Sequence, residues 1–184
     1  MPLYHFMLTL SGVTSDTEML EDALWESGCD DALIAFYGTS VYLEFDREGT
    51  SFANAIMTAV RDIESAGLNA RVESVDSVFV GLSDIAGLAG LTRQSVALLK
   101  EGARGPRNFP TPVQRLKGNS PLWRWKDVAD WLVREGRLAS DAPQVQNAVI
   151  LENINLALQL RSVSDARQVR DFLHLLEHQE EITG

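Results

Sequence analysis

Residues 82–99 read LSDIAGLAGLTRQSVALL, and this stretch decides the fold of the middle of the chain. Apolar residues recur at helical spacing on both sides of Gly90, which predicts two short helices. Ser83 is expected to cap the first helix and Thr92 the second, because their hydroxyls can accept hydrogen bonds from free helix N–H groups. Gly90 allows the positive φ of a tight turn, and Leu91 is expected to fill the angle between the helices. The pattern predicts a helix-turn-helix.

The first turn of the second helix carries side chains that suit the reading of bases. Arg93, Gln94 and Ser95 follow the predicted cap at Thr92. In a helix-turn-helix, this end of the second helix meets base edges in the major groove of double-stranded DNA. Arg can donate two hydrogen bonds to guanine, and Gln can pair its amide with adenine. We therefore predict DNA contacts at Thr92, Arg93, Gln94 and Ser95; the alternative is an idle, solvated face.

A basic loop and a hairpin follow the two helices. Residues 102–107 contain two glycines, a proline and two arginines, which indicates a flexible cationic loop. Two short strands around a turn at Gly118-Asn119 are expected to form a wing along DNA phosphates. The predicted phosphate contacts are Lys100, Arg104, Arg107, Arg115, Lys117 and Arg124.

Three tryptophans, Trp123, Trp125 and Trp131, come after the predicted wing. A helix is expected from Lys126, with an apolar face that closes a small core. We expect the tryptophans to pack in that core. The alternative is a platform on which single-stranded bases stack.

Three blocks of this region resemble a known family. They are DIA and GLTRQSV within residues 84–96, FPTPV at 109–113 and LWRWKDVADWL at 122–132. In this order they resemble MerR/excisionase-type (AlpA-like) winged-helix proteins, over about 50 of the 184 residues. The resemblance implies DNA binding, with base contacts at residues 92–95 and wing contacts at the basic residues near 115–124.

More loosely, the whole chain resembles small bacterial DNA-binding proteins of phage-derived or toxin–antitoxin loci. It departs from simple excisionases by its N-terminal and C-terminal segments. It departs from MerR activators because it has neither their long dimerisation coil nor a cysteine effector site, so the resemblance does not imply metal or redox sensing.

The distribution of charge divides the chain into three. The chain has 16 Lys and Arg against 26 Asp and Glu, a net charge of −10. Residues 1–78 carry −11, residues 79–140 carry +5 and residues 141–184 carry −4. Only the middle segment suits a polyanion. We predict domains with these bounds: an α/β domain, a winged helix-turn-helix and a C-terminal helical segment.

The first segment predicts a ferredoxin-like βαββαβ domain, so the expected fold class is α+β. Strands are predicted at 4–10, 32–37, 41–45 and 70–75, with helices beginning near Thr17 and after Ser51. No catalytic group stands out in this segment. Asp30 and Asp31 are expected to form a solvated turn, and Cys29 to be a small core residue rather than a nucleophile, since no cationic side chain lies near it in sequence.

The C-terminal segment predicts two helices, one beginning near Pro143 and one capped by Ser162 or Ser164. Their apolar residues need a partner surface, within the chain or across a dimer. We favour a homodimer, because it would place two recognition helices about one DNA turn apart.

His174, Glu177 and His178 match the H-x-x-E-H pattern of inverted zinc proteases. A third ligand is normally needed, and Glu180 and Glu181 are too near to close a tetrahedral site. We therefore expect an amphipathic helix end with exposed histidines, no metal or other cofactor, and no enzyme activity.

These patterns together predict a homodimeric transcriptional regulator. It is expected to bind specific sequences in double-stranded DNA and to act as a repressor. The apolar runs are far shorter than the roughly 18 residues that cross a membrane, and Met1 to Leu10 lacks a basic signal-peptide start. We expect a cytoplasmic protein without membrane contact. The alternative function is an antitoxin-type interaction protein that neutralises a cognate toxin and autoregulates its operon.

Overall fold

The computed structural model of the chain describes residues 1–179, which form an α+β fold. The helices and strands are, in chain order, β1 (Leu3–Ser11), α1 (Leu20–Glu26), β2 (Ala32–Tyr37), β3 (Ser40–Glu48), α2 (Phe52–Glu64), β4 (Arg71–Asp76), β5 (Phe79–Val80), α3 (Leu82–Ala89), α4 (Arg93–Glu101), β6 (Trp123–Arg124), α5 (Trp125–Arg134), α6 (Pro143–Ser162) and α7 (Ala166–Glu177). The predicted α+β class is confirmed, and so is the strand-helix-strand-strand-helix-strand order of the first part. None of the helices in this range is long and apolar enough to cross a membrane.

The first four strands form one antiparallel sheet in the order β2-β3-β1-β4. Alternation of side chains in β1 buries Phe6, Leu8 and Leu10 on one face. Helices α1 and α2 cover that face with their own apolar residues. The helix α2 begins where predicted, because the side chain of Ser51 accepts a hydrogen bond of 3.1 Å from the Asn54 N–H.

The buried face of the sheet also holds a charged side chain, Arg47. Its guanidinium donates to both carboxylate oxygens of Asp31 at 2.7 and 2.8 Å, to Asp62 at 2.8 Å and to the Gly28 carbonyl at 2.6 Å. The expectation of a solvated turn is therefore wrong for Asp31, because a buried guanidinium needs a carboxylate partner. It is correct for Asp30, which is exposed.

The thiol of Cys29 lies in the same core and is 3% exposed. Burial raises its pKa to about 11, so the thiol stays protonated at neutral pH. The expectation of a core residue is confirmed.

A second core lies between β5, β6 and helices α3, α4 and α5. Trp123, Trp125 and Trp131 are fully buried in it. Their indole N–H groups donate to the Pro110 carbonyl, the Gln144 carbonyl and the Asn108 side chain, at 2.8–2.9 Å. The prediction of core packing is confirmed, since rings held in this way have no face free for a base.

Helix α6 belongs to both cores. Leu151 and Leu158 pack in the core of the sheet, whereas Ala148 packs in the second core. Between Leu151 and Leu158 on the helix, the Asn155 side chain accepts a hydrogen bond of 2.9 Å from the Val75 N–H and donates one of 2.8 Å to the Val75 carbonyl. The amide thus takes the place of a neighbouring strand at the β4 edge of the sheet.

Replacing Asn155 by leucine is expected to lower the free energy of unfolding by about 2–5 kcal/mol, because the N–H and C=O of Val75 would each lose a buried partner. Urea denaturation measures the loss. Asn153 lies on the same helix and is exposed, so Asn153→Leu is the matched control, with an expected change within about 0.5 kcal/mol. Equal stability of the two variants would contradict the role of the amide.

Candidate nucleic-acid interface

Helices α3 and α4 meet at the predicted glycine turn. Gly90 has a φ of 64°, and the Leu91 N–H donates to the Ala86 carbonyl at 2.9 Å, which closes the end of α3. The predicted cap at Ser83 is wrong. The cap is Gly81, two residues earlier, and the helix begins at Leu82; the Asp84 carboxylate accepts a hydrogen bond of 2.8 Å from the Gly81 N–H. This geometry is that of two helices joined by a tight turn.

The start of α4 presents its polar side chains outward. The Thr92 hydroxyl accepts a hydrogen bond of 3.1 Å from the Ser95 N–H and lies 2.9 Å from the Ser95 hydroxyl. The predicted cap at Thr92 is therefore confirmed. Arg93 and Gln94 are exposed, while Val96 and Leu99 on the other face of the helix are buried. The buried face and the cap thus fix the start of the helix, and Arg93 and Gln94 are exposed there to a ligand.

The loop of residues 115–121, called the wing loop below, lies beside this helix start. Arg93 lines the same hollow, of about 250 Å³, as Asn119 and Ser120. An antiparallel bridge between Gln114 and Leu122 closes the loop. The structure thus brings one predicted reading residue, Arg93, next to the turn of the predicted wing. Asn119 and Ser120 were not predicted as contacts, although the Gly118-Asn119 turn signal marks their position.

The two predicted wing strands are reduced to this single bridge. Proline lacks a backbone N–H and therefore cannot donate to a ladder. Pro110 and Pro112 precede the bridge on one side, and Pro121 adjoins it on the other. The strand that follows, β6, pairs instead with β5.

The predicted phosphate-contact residues fall into two groups. Arg115 and Lys117 lie in the wing loop, whose Asn119 and Ser120 line a hollow with Arg93 at the start of α4. Lys100, Arg104 and Arg107 lie at the other end of that helix, which is about 10 Å away along its axis at 1.5 Å per residue. All five are exposed, and within residues 1–179 none of them forms an ion pair.

The tenth predicted residue, Arg124, differs from the others. Its guanidinium lies 3.2 Å from the Glu152 carboxylate on α6 and 3.8 Å from Asp127. A contact between Arg124 and DNA would have to compete with both carboxylates. Arg124 and Glu152 lie far apart in the chain, so no local pattern in the sequence indicates that they pair.

Two of the arginines hold the left-handed backbone conformation, with φ of 59° at Arg107 and 57° at Arg115. The side chain of Arg107 crosses Gly102, where an added Cβ would lie 2.8 Å from the Arg107 Cγ. Left-handed residues with a side chain cost about 1–2 kcal/mol each. Such strain is concentrated at functional sites.

Replacing Arg115 by glycine is expected to leave the free energy of unfolding unchanged or raise it by up to about 1 kcal/mol, because glycine relieves the left-handed strain but adds freedom to the unfolded chain. Lys117→Gly, outside that conformation, is expected to lower it by a few tenths to about 1 kcal/mol. Chemical denaturation compares the two variants. A larger loss for Arg115→Gly than for Lys117→Gly would contradict the strain.

The histidine pattern near the end of α7 does not gather metal ligands in the described part of the chain. The His174 and His178 rings lie 4.4 Å apart, and the His178 Nδ1 is 3.0 Å from the His174 carbonyl. Within residues 1–179, no three His, Cys, Asp or Glu side chains lie close enough to hold a metal ion. Glu180 and Glu181, weighed as further ligands, lie outside the described residues.

The chain matches no protein-family model, no curated protein and no solved structure.

Proposed function

We propose that the chain is a cytoplasmic, homodimeric regulator of transcription that binds specific sequences in double-stranded DNA and acts as a repressor. In this proposal α3 and α4 are a winged helix-turn-helix of the MerR/excisionase (AlpA-like) type, and α4 is the recognition helix. The first four strands with α1 and α2 are a ferredoxin-like α/β sandwich. The sheet order β2-β3-β1-β4 with antiparallel pairing supports that part.

The observation that carries the proposal is the start of α4. Arg93 and Gln94 are exposed in the first turn of a helix whose cap is fixed by Thr92, and the wing loop lies beside Arg93. Arg and Gln are the side chains that read guanine and adenine through paired hydrogen bonds. A helix held at both its cap and its buried face gives those bonds a defined direction.

The local charge supports a polyanionic ligand. Residues 91–120 contain six Lys and Arg and one acidic residue, Glu101. These cations have no carboxylate partner within residues 1–179 and can replace counterions on phosphates. The acidic remainder of the chain repels DNA, which limits non-specific binding and makes affinity depend on a good site.

The dimer proposal rests on α7. All of its residues except the half-buried Ala166 are exposed. Val169, Phe172, Leu173 and Leu176 form one apolar stripe and are 41–66% exposed. An isolated helix of 12 residues is marginal in water, so α7 gains stability when another surface covers the stripe. The first C-terminal helix, α6, has its partner surface within the chain.

Repression needs no further machinery, because a dimer on a promoter blocks access to the duplex. The antitoxin-type hypothesis stays an alternative prediction. It requires a neighbouring gene whose product is toxic when expressed alone.

In vitro selection from a random duplex library tests the proposal with the full chain. We expect enrichment of an inverted repeat whose half-sites are one helical turn apart, together with a dimer mass in solution. If repeated rounds enrich no motif, the chain is not a sequence-specific DNA reader. Binding of the motif by a monomer would contradict the homodimer and leave the proposal of sequence-specific DNA binding standing.

A further inference from the structure

The two edges of the four-stranded sheet are treated differently. The edge at β4 is covered by α6, where the Asn155 amide bonds to the backbone of Val75. The edge at β2 lies at the opposite end of the sheet. Within residues 1–179, the outer backbone groups from Leu33 to Tyr37 have no hydrogen-bond partner. An open strand edge is a template for another strand.

The geometry of the β2–β3 hairpin shows which groups are open. The strands are joined by the two-residue loop Gly38-Thr39, with Tyr37 paired to Ser40. Residues that close such a loop form a hydrogen-bonded pair, and the pairs alternate along an antiparallel ladder. The N–H and C=O groups of Ile34 and Phe36 therefore point away from β3.

The side chains of β2 do not protect this edge. The strand reads ALIAFY and contains no charge, proline or glycine, which are the usual means of blocking an edge. Leu33 is 65% and Tyr37 84% exposed on one face, and Phe36 is 43% exposed on the other. Phe36 lines a hollow of about 300 Å³ with Met19, itself 66% exposed. Exposed apolar surface of this kind marks an interaction site.

The charge around the edge favours a cationic partner. Residues 6–46 contain nine Asp and Glu and no Lys, Arg or His. Only two of the nine, Asp31 and Asp46, form ion pairs within residues 1–179. Glu21 and Asp22 line the hollow beside Phe36. A second copy pairing edge to edge would set this negative charge against itself, whereas a cationic segment would be attracted.

We propose that the β2 edge binds a basic, extended segment of another protein, which adds to the sheet as a fifth strand. Main-chain hydrogen bonds to Ile34 and Phe36 supply the pairing, and the exposed apolar side chains of β2 and Met19 receive alternate residues of the segment. Lysine or arginine side chains of the segment meet Glu21 and Asp22. The proposal does not depend on DNA binding.

The probe is a synthetic peptide of sequence Arg-Val-Lys-Ile-Arg-Val-Lys, labelled at its N-terminus, with Glu-Val-Glu-Ile-Glu-Val-Glu as the control. The full chain is titrated into each peptide by fluorescence anisotropy. We expect saturable binding of the basic peptide and none of the acidic peptide. In the unmodified chain, amide hydrogen exchange at Ile34 and Phe36 should slow when the basic peptide is bound.

The variant Phe36→Pro removes the outward N–H, and Phe36→Ala removes only the ring. Proline should weaken binding of the basic peptide at least tenfold relative to alanine, with DNA binding unchanged. Equal binding by the two variants, unaltered exchange at Ile34 and Phe36, or equal binding of the acidic peptide would overturn the proposal. So would a fall in oligomer mass with Phe36→Pro, which would make a second copy the occupant.

Discussion

Replacing Arg93 by alanine is expected to remove about 1–3 kcal/mol of discrimination between the selected operator and a duplex mismatched at the position that Arg93 reads. The reason is that Arg93 is exposed at a fixed helix start beside the wing loop, where its guanidinium can donate two hydrogen bonds to one base. Competition binding with the matched and mismatched duplexes measures the ratio of affinities, which should fall by roughly 5- to 150-fold.

Lys117→Ala is the control for this result, because the exposed Lys117 lies in the wing loop and is expected to contact phosphate. Loss of the Lys117 side chain should weaken binding to all sequences alike. It should also reduce the steepness of the fall of log affinity with log salt concentration by about one. If Arg93→Ala and the unmodified chain discriminate equally, Arg93 does not read a base.

Replacing Arg47 by methionine is expected to lower the free energy of unfolding by about 3–5 kcal/mol, because it would leave Asp31 without its cation and Asp62 with only the exposed Arg61. The Arg47 side chain is only 7% exposed. Arg61 is the matched control, since it bonds the same Asp62 carboxylate at 2.9 Å but is 71% exposed. Arg61→Met should cost no more than about 1 kcal/mol.

Urea denaturation separates the two arginines. Combining Arg47→Met with Asp31→Asn and Asp62→Asn should recover part of the lost stability, because no uncompensated carboxylate then remains. Equal losses for Arg47→Met and Arg61→Met would mean that the buried pairings contribute no more than the surface one.

Most of the sheet could be predicted because its pattern is local. Val41, Leu43 and Phe45 alternate with polar residues, and all three are buried. The same alternation continued by one step would have placed Arg47 on the buried face. The predicted strand ends at Phe45. A charged residue is rarely buried without a partner, and the partners of Arg47 lie at distant positions that no local pattern indicates.

The start of α1 shows a limit of local signals. The sequence predicts a helix that begins near Thr17, but the helix begins at Leu20. Thr14 and Thr17 bond each other in a turn of their own, through backbone and hydroxyl groups. Hydroxyl side chains support turns as readily as helix caps, so their positions alone do not fix the boundary.

The contacts of α6 could not be predicted for a different reason. Asn155 bonds Val75, which is 80 residues earlier in the chain, and the signal for such a pairing is not local. Apolar residues also lie on the exposed face of α6, at Val149, Leu156 and Leu160, so the sequence of the helix shows no single apolar stripe. Asn155 is the polar residue on a buried row that contains Ala148, Leu151 and Leu158.

The shared position of α6 limits how this protein can be divided or recombined. A fragment of residues 79–140 would lack Ala148, and the indole N–H of Trp125 would lose the Gln144 carbonyl. A gene fusion that transplanted only that fragment would carry an incomplete core. A transplanted fragment must therefore extend through the end of α6. It then also carries the apolar residues of α6 that pack against the sheet, without the sheet that covers them.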